Sequence, residues 1–261
     1  MVIRGNPVRS RYEFYLDMSG TLKRSNDDIF VGCILVPDLY KSAFREKFYN
    51  HFPSLRAFHK KGSSLQPTKL KEIVEYIDND GIKTSCIVLK RYLINKIRDE
   101  IINAFHNEKR IPRDKVNLRF FEEKVIASVY FEVLVPHART GYPYNCFSCP
   151  ETQFDIQQMF VALNRIAYPR KFHLRMASIP RRTEHMVKFA DYVASSGRHL
   201  DKSIFNNLNN FKFIEYKPDY TQLDRAFSIL RREKQRLGTP EKPSQKENAP
   251  KINLNPMIDN Q

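Results

Sequence analysis

Polar and apolar residues alternate from Arg11 to Asp17. Phe14 and Leu16 fall on one side and Tyr15 and Asp17 on the other, the period-two mark of a strand. Ser19-Gly20 and the polar stretch Lys23 to Asp28 then turn the chain. The apolar run Ile29 to Val36 reads as a second strand that Pro37 ends, so the two form a hairpin. From Leu39 to Tyr49 the spacing becomes helical, through Tyr40, Ala43, Phe44 and Phe48. Gln66-Pro67-Thr68 opens a helix over Lys69 to Asn79, with Gly81 as its cap. Thr84 to Leu89 predicts a third strand, and Tyr92 to Phe105 a helix. A long apolar-periodic helix runs from Phe120 to Leu134 and stops before Pro136. Residues 137–152 read as irregular. Phe154 to Ala167 is either a strand followed by a helix or one helix. Phe172 to Ile179 reads as a strand, and Thr183 to Ser195 as a helix that Thr183 can cap. Phe211 to Tyr216 is a late strand and Tyr220 to Arg236 a basic last helix. A hairpin followed by mixed strands and helices predicts an α/β class. One domain is expected over 1–237, and the Pro-, Asn-, Lys- and Gln-rich stretch 238–261 predicts a disordered tail.

The net charge changes the picture. It is +15, and the last 25 residues are neutral, with Lys242, Lys246 and Lys251 against Glu241, Glu247 and Asp259. The whole excess therefore belongs to the folded body, where it attracts polyanions such as RNA, DNA or a ribonucleoprotein. No apolar run of membrane-spanning length occurs, and no signal-type segment follows the N-terminus, so no membrane is expected as partner and the expected compartment is the cytoplasm. Of the four cysteines, Cys33 and Cys86 lie in strand-like runs and read as reduced core residues. Cys146-Phe-Ser-Cys149 is a single CxxC. A zinc module built on it would need further ligands that the sequence does not space suitably.

Two carboxylates stand out. Asp17, in Tyr15-Leu16-Asp17-Met18-Ser19-Gly20, ends a first strand beside an open turn, a position that suits Mg²⁺ or serves as a turn cap. Asp191 is an acid within the apolar helical stretch Phe189 to Ala194. It either holds a metal or pairs with Lys188 or Arg198.

These two stretches, together with Phe58 to Leu65 (FHKKGSSL) and His185 to His199 (HMVKFADYVASSGRH), resemble the domain-of-unknown-function 3800 family. Its members open with Tyr-x-Asp-Glu-Ser-Gly and carry a late helix of the type Gln-x-Ala-Asp-x-x-Ala. The resemblance implies an RNase H-like mixed sheet flanked by helices, with acids converging at one sheet edge around Mg²⁺ or Mn²⁺ for phosphodiester hydrolysis. By position, Asp17 matches the first-strand acid, Asp191 the helix acid, and Ser19 and Gly20 the turn, which makes Asp17, Asp191 and Ser19 the candidate catalytic residues. Lys61, Gly62 and Ser63 match the middle stretch. Met18 and His59 stand where the family has glutamates, and a thioether cannot replace a carboxylate for a hard cation. Asp155, or else Glu184, is the candidate recruit to a metal set of Asp17, Asp191 and Asp155.

The window from Ile156 to Thr183 holds no acid. It carries Arg165, Arg170, Lys171, Arg175, Arg181 and Arg182, with Tyr168, Phe172 and His173 interleaved, a pattern suited to phosphates and unpaired bases. Lys60 and Lys61 add a second candidate phosphate contact. Two readings follow: a divalent-metal-dependent RNase H-like nuclease, or an RNase H-like protein that has lost acids and binds RNA or a ribonucleoprotein through its basic surface.

Overall fold

The computed structural model describes residues 12–20, 27–57, 61–109, 118–148, 156–178, 185–219 and 223. The expected tail over 238–261 and the basic last helix lie outside them, apart from Leu223, which is buried. Six strands form one mixed sheet: β1 (Tyr12–Ser19), β2 (Ile29–Pro37), β3 (Lys83–Leu89), β4 (Pro143–Ser148), β5 (His173–Ser178) and β6 (Phe211–Glu215). Their order is β5-β4-β1-β2-β3-β6. The hairpin β1–β2 and the pair β2–β3 are antiparallel, while β4 runs parallel to β1, β5 to β4 and β6 to β3. This is an α/β fold of the RNase H-like kind, a mixed sheet flanked by helices.

Helices cover both faces, which is why the central strands are buried almost throughout. On one face lie α5 (Leu118–Leu134) and α6 (Ile156–Ala167), over Phe14, Leu16, Met18, Val31 and Cys146. On the other lie α1 (Lys41–His51), α3 (Pro67–Asn79) and α7 (His185–His199), over Tyr15, Ile34 and Cys86. The chain also forms α2 (Pro53–Ala57), α4 (Arg91–Lys109) and α8 (Lys202–Phe205). Asp201 caps α8 by accepting the Ser203 N–H at 2.8 Å.

The irregular reading of 137–152 is overturned, because 143–148 is an interior strand between β1 and β5. Tyr144, Cys146 and Ser148 alternate inward in period two, but the run is short and lacks β-branched residues. Its pairing with β1, remote in sequence, makes it a strand. The ambiguous 154–167 resolves into α6 from Ile156 onward.

α7 lies unusually close to the sheet because small residues face it. A methyl group at Gly32 would run into the Ala190 carbonyl oxygen and lie 2.5 Å from the Ala194 amide nitrogen, and one at Gly197 would strike the Cys86 sulfur. Gly32→Ala is therefore expected to destabilise the protein by about 1–3 kcal/mol through overpacking. Urea unfolding followed by circular dichroism checks this, and an unchanged midpoint would contradict the close contact.

Candidate active site

Adjacent residues of a strand face opposite sides of a sheet, and directly paired residues face the same side. Gly32 faces α7 and pairs directly with Asp17, so Asp17 also faces α7. Cys86 pairs with Gly32 from the other side, so Asp17, Gly32 and Cys86 form one row across three strands. α7 lies along that row, with Gly197 over Cys86 and with Ala194 and Ala190 over Gly32. Asp17 is the next residue along that row, on the face that α7 covers.

Asp17 is 1% exposed and Asp191 4%. Asp17 Oδ1 accepts the Met18 N–H at 2.9 Å. Asp191 Oδ2 accepts the Gly62 N–H at 2.7 Å, and Lys188, one turn earlier on α7, is attracted to it. Arg198 instead bonds Asp27 at 2.6 Å. Gly62 begins a short 3-10 turn, Gly62–Ser64, and must be glycine here: a methyl group would lie 2.5 Å from Ser195 Oγ and 2.8 Å from the Asp191 carbonyl oxygen. Ser64 donates its hydroxyl to the Lys61 carbonyl at 2.8 Å, and Lys61 itself is exposed. Gly62 and Asp191, far apart in sequence, thus meet, and Asp17 faces the same helix, α7, from the sheet.

Lys188 is buried beside this cluster. It donates to the Leu55 carbonyl at 3.1 Å, and burial lowers its pKa against the pull of Asp191. Burial also pushes the Tyr192 hydroxyl up, with Tyr49 and Asp191 adding to it. Among the described residues the buried Tyr192 hydroxyl and Ser195 Oγ have no hydrogen-bond partner. Lys188 was a candidate partner of Asp191 in the sequence; Tyr192, the next residue along α7, was not singled out there. Nor was Glu13, which shares the odd-numbered face of β1 with Tyr15 and Asp17. Glu13 pairs with Lys41 at 2.8 Å and accepts the Tyr15 hydroxyl. Four strand residues, about 13 Å, separate it from Asp17, too far to share one ion.

β1 is an interior strand of the sheet, and Asp17 lies near its C-terminal end on the face that α7 covers. Met18 lies in the opposite core layer with Phe14 and Leu16, so position 18 does not share the face of Asp17. Ser19 is buried at the end of β1, paired with Phe30. Asp155, Glu184, His59, Lys60, Arg181, Arg182 and Cys149 lie outside the described residues. Cys146 is fully buried, and burial, with Cys33 nearby, raises its thiol well above the ordinary range, so it is an inert core residue.

The Arg165–Arg175 window does not form one free basic face. Arg170 pairs with Asp219 at 3.6 Å and sits over the Phe131 ring at 5.1 Å. Arg165 is only half-buried on α6, and Phe172 packs on the core. Lys171 and Arg175 are exposed, Arg175 on the edge strand β5 and on the α7 side, since it pairs with Asn145 and Asn145 with Glu13.

Hard carboxylate oxygens near a strand end suit one Mg²⁺, which binds through one or two carboxylates and keeps its waters. Among the described residues, no group of three His, Cys, Asp or Glu side chains is placed to hold an ion. No helix among the described residues is long and apolar enough to cross a membrane. No protein-family model matches the chain, and no curated protein matches it.

Removing the Asp191 carboxylate strands the buried Gly62 N–H, at about 1–3 kcal/mol. Asp191→Ala should therefore destabilise the fold and speed amide exchange at Gly62, while Asp191→Asn, which keeps an acceptor, should do neither. Equal exchange in the two variants would contradict this role.

Proposed function

We propose that this chain is an RNase H-like nuclease that hydrolyses nucleic-acid phosphodiesters with Mg²⁺ or Mn²⁺. The observation that carries the reading is that Asp17 faces α7, the helix whose Asp191 is bonded to Gly62. These residues lie in the three stretches in which the chain resembles the domain-of-unknown-function 3800 family. The net charge of +15 on the body supports an anionic polymer as substrate.

Asp17 and Asp191 would hold the ion, which would polarise a phosphoryl oxygen and acidify a bound water. The chain's own residues prepare that place. The Met18 and Gly62 amides each occupy one carboxylate oxygen and so orient the acids. α7, lying close over Gly32, keeps water out from behind them. Lys61, exposed beside Gly62, is placed to meet a phosphate. Position 18 points into the other layer, so Met18 does not weigh against the reading.

A second reading is an RNase H-like protein that binds RNA or a ribonucleoprotein without cutting. It is favoured by the depth of both acids and by the lack of a third carboxylate near them among the described residues.

Cleavage of single-stranded and duplex RNA and DNA with Mn²⁺ separates the two. The nuclease reading expects metal-dependent cutting that Asp17→Asn abolishes while circular dichroism is unchanged. Mobility shifts in EDTA without cutting, weakening steeply with salt, would establish the binding reading instead. Cutting by Asp17→Asn equal to wild type would remove Asp17 from the site.

A further inference from the structure

At the other end of the sheet, a cleft of about 330 Å³ opens between the start of β1, the end of β2, the start of β3 and the turn after α5. It lies about 17 Å along β1 from Asp17, five residues at strand rise. It also lies on the α5 side, because Tyr12 has the parity of Phe14 and not of Asp17.

Its lining has an unbalanced chemistry. Lys83 and Arg139 line it, and among the described residues no carboxylate does. Lys212, near enough to act on His137, adds a third cation. Among the described residues none of these three pairs with a carboxylate, whereas Lys41, Lys47, Lys69 and Lys90 each do. Two of the few exposed large side chains of the described fold, Tyr12 at 41% and Tyr142 at 48%, stand on the same cleft. Both lie near enough to Tyr144 to act on its hydroxyl, so the rings border one space. Leu35 supplies an apolar floor. The backbone of the wall is held in place, with the Arg139 N–H donating to the Tyr144 hydroxyl at 2.8 Å. His137 Nε2 lies 3.0 Å from the Thr84 carbonyl, which can only accept. That nitrogen therefore carries the proton, which leaves Nδ1 of the neutral ring as an acceptor.

We infer that this cleft binds a nucleotide unit, with the base against Tyr12 and Tyr142 and the phosphate on Lys83 and Arg139. Exposed aromatic faces with unpaired cations at their rim are how proteins hold an unpaired base and its phosphate together. The volume lies at the small end of ligand sites, in keeping with one nucleotide rather than a duplex. The site is independent of the nuclease reading, since it lies on the other face of the sheet and uses neither Asp17 nor Asp191.

The test uses the full chain carrying Asp17→Asn, in EDTA, so that cleavage plays no part. Calorimetric titrations with adenosine and uridine 5′-monophosphates, a short 5′-phosphorylated RNA and inorganic phosphate are compared. Lys83→Ala with Arg139→Ala is expected to weaken nucleotide binding about tenfold or more, and Tyr142→Ala about tenfold. All three positions are exposed, and unchanged circular dichroism would confirm that the fold survives. Mononucleotides binding as tightly as the RNA would mark a free-nucleotide site, and RNA binding alone would mark a strand anchor; either outcome supports the cleft. No nucleotide binding, affinities unmoved by the substitutions, or inorganic phosphate binding as tightly as nucleotide would overturn it.

Discussion

The structure depends on the close approach of α7 to the sheet at Gly32 and Gly197. Only residues without side chains allow the helix backbone to come within touching distance of β2 and β3. That distance sets the position of everything on the helix. Ala190 and Ala194 reach Gly32, the residue paired with Asp17, and Gly197 reaches Cys86. On its other flank the same turn of α7 presses Ser195 and the Asp191 backbone against Gly62, which is bare for the same reason.

A buried carboxylate is stable only with partners. The fold supplies them differently along one face of β1. Glu13 is neutralised by the Lys41 ammonium and the Tyr15 hydroxyl. Asp191 takes a backbone amide and has the buried Lys188 near it. Asp17 takes the amide of its own neighbour. The first arrangement saturates an acid with a cation and reads as architecture. In the other two a backbone amide holds one carboxylate oxygen, which orients the acid. The same reasoning applies in reverse at the far end of the sheet, where Lys83, Arg139 and Lys212 are left without carboxylates while lysines elsewhere have them.

The polarity of the sheet separates these two places. β1 and β4 are parallel and neighbours, so their C-terminal ends lie together near Asp17 and their N-terminal ends together near the cleft. In open α/β sheets ligands gather outside the carboxyl ends of strands, and the candidate acids follow that rule. The cleft does not. It exists because the hairpin partner β2 and the antiparallel β3 bring Leu35 and Lys83 to the end where β1 and β4 begin.

Much of this was legible in local pattern. The first hairpin, β3, β5, β6 and the long helices follow from periodicity, because one-sided burial writes its period into the chain. The opposite facing of Asp17 and Leu16 follows from strand parity, and the same parity already turned Met18 away from Asp17. Other features depend on which elements become neighbours, and pattern does not encode that. The segment 143–148 is a strand because β1 and β5 pair with it on either side. Arg170 is taken up by Asp219 and Phe131, which no window of sequence around it contains. Asp191 meets Gly62, 129 positions away, and its helix packs on Gly32, the residue paired with Asp17. Local sequence thus determined which side each residue shows, since that depends only on the geometry of its own element. Tertiary structure decided what each side meets, since long-range pairing and close packing are properties of the whole chain.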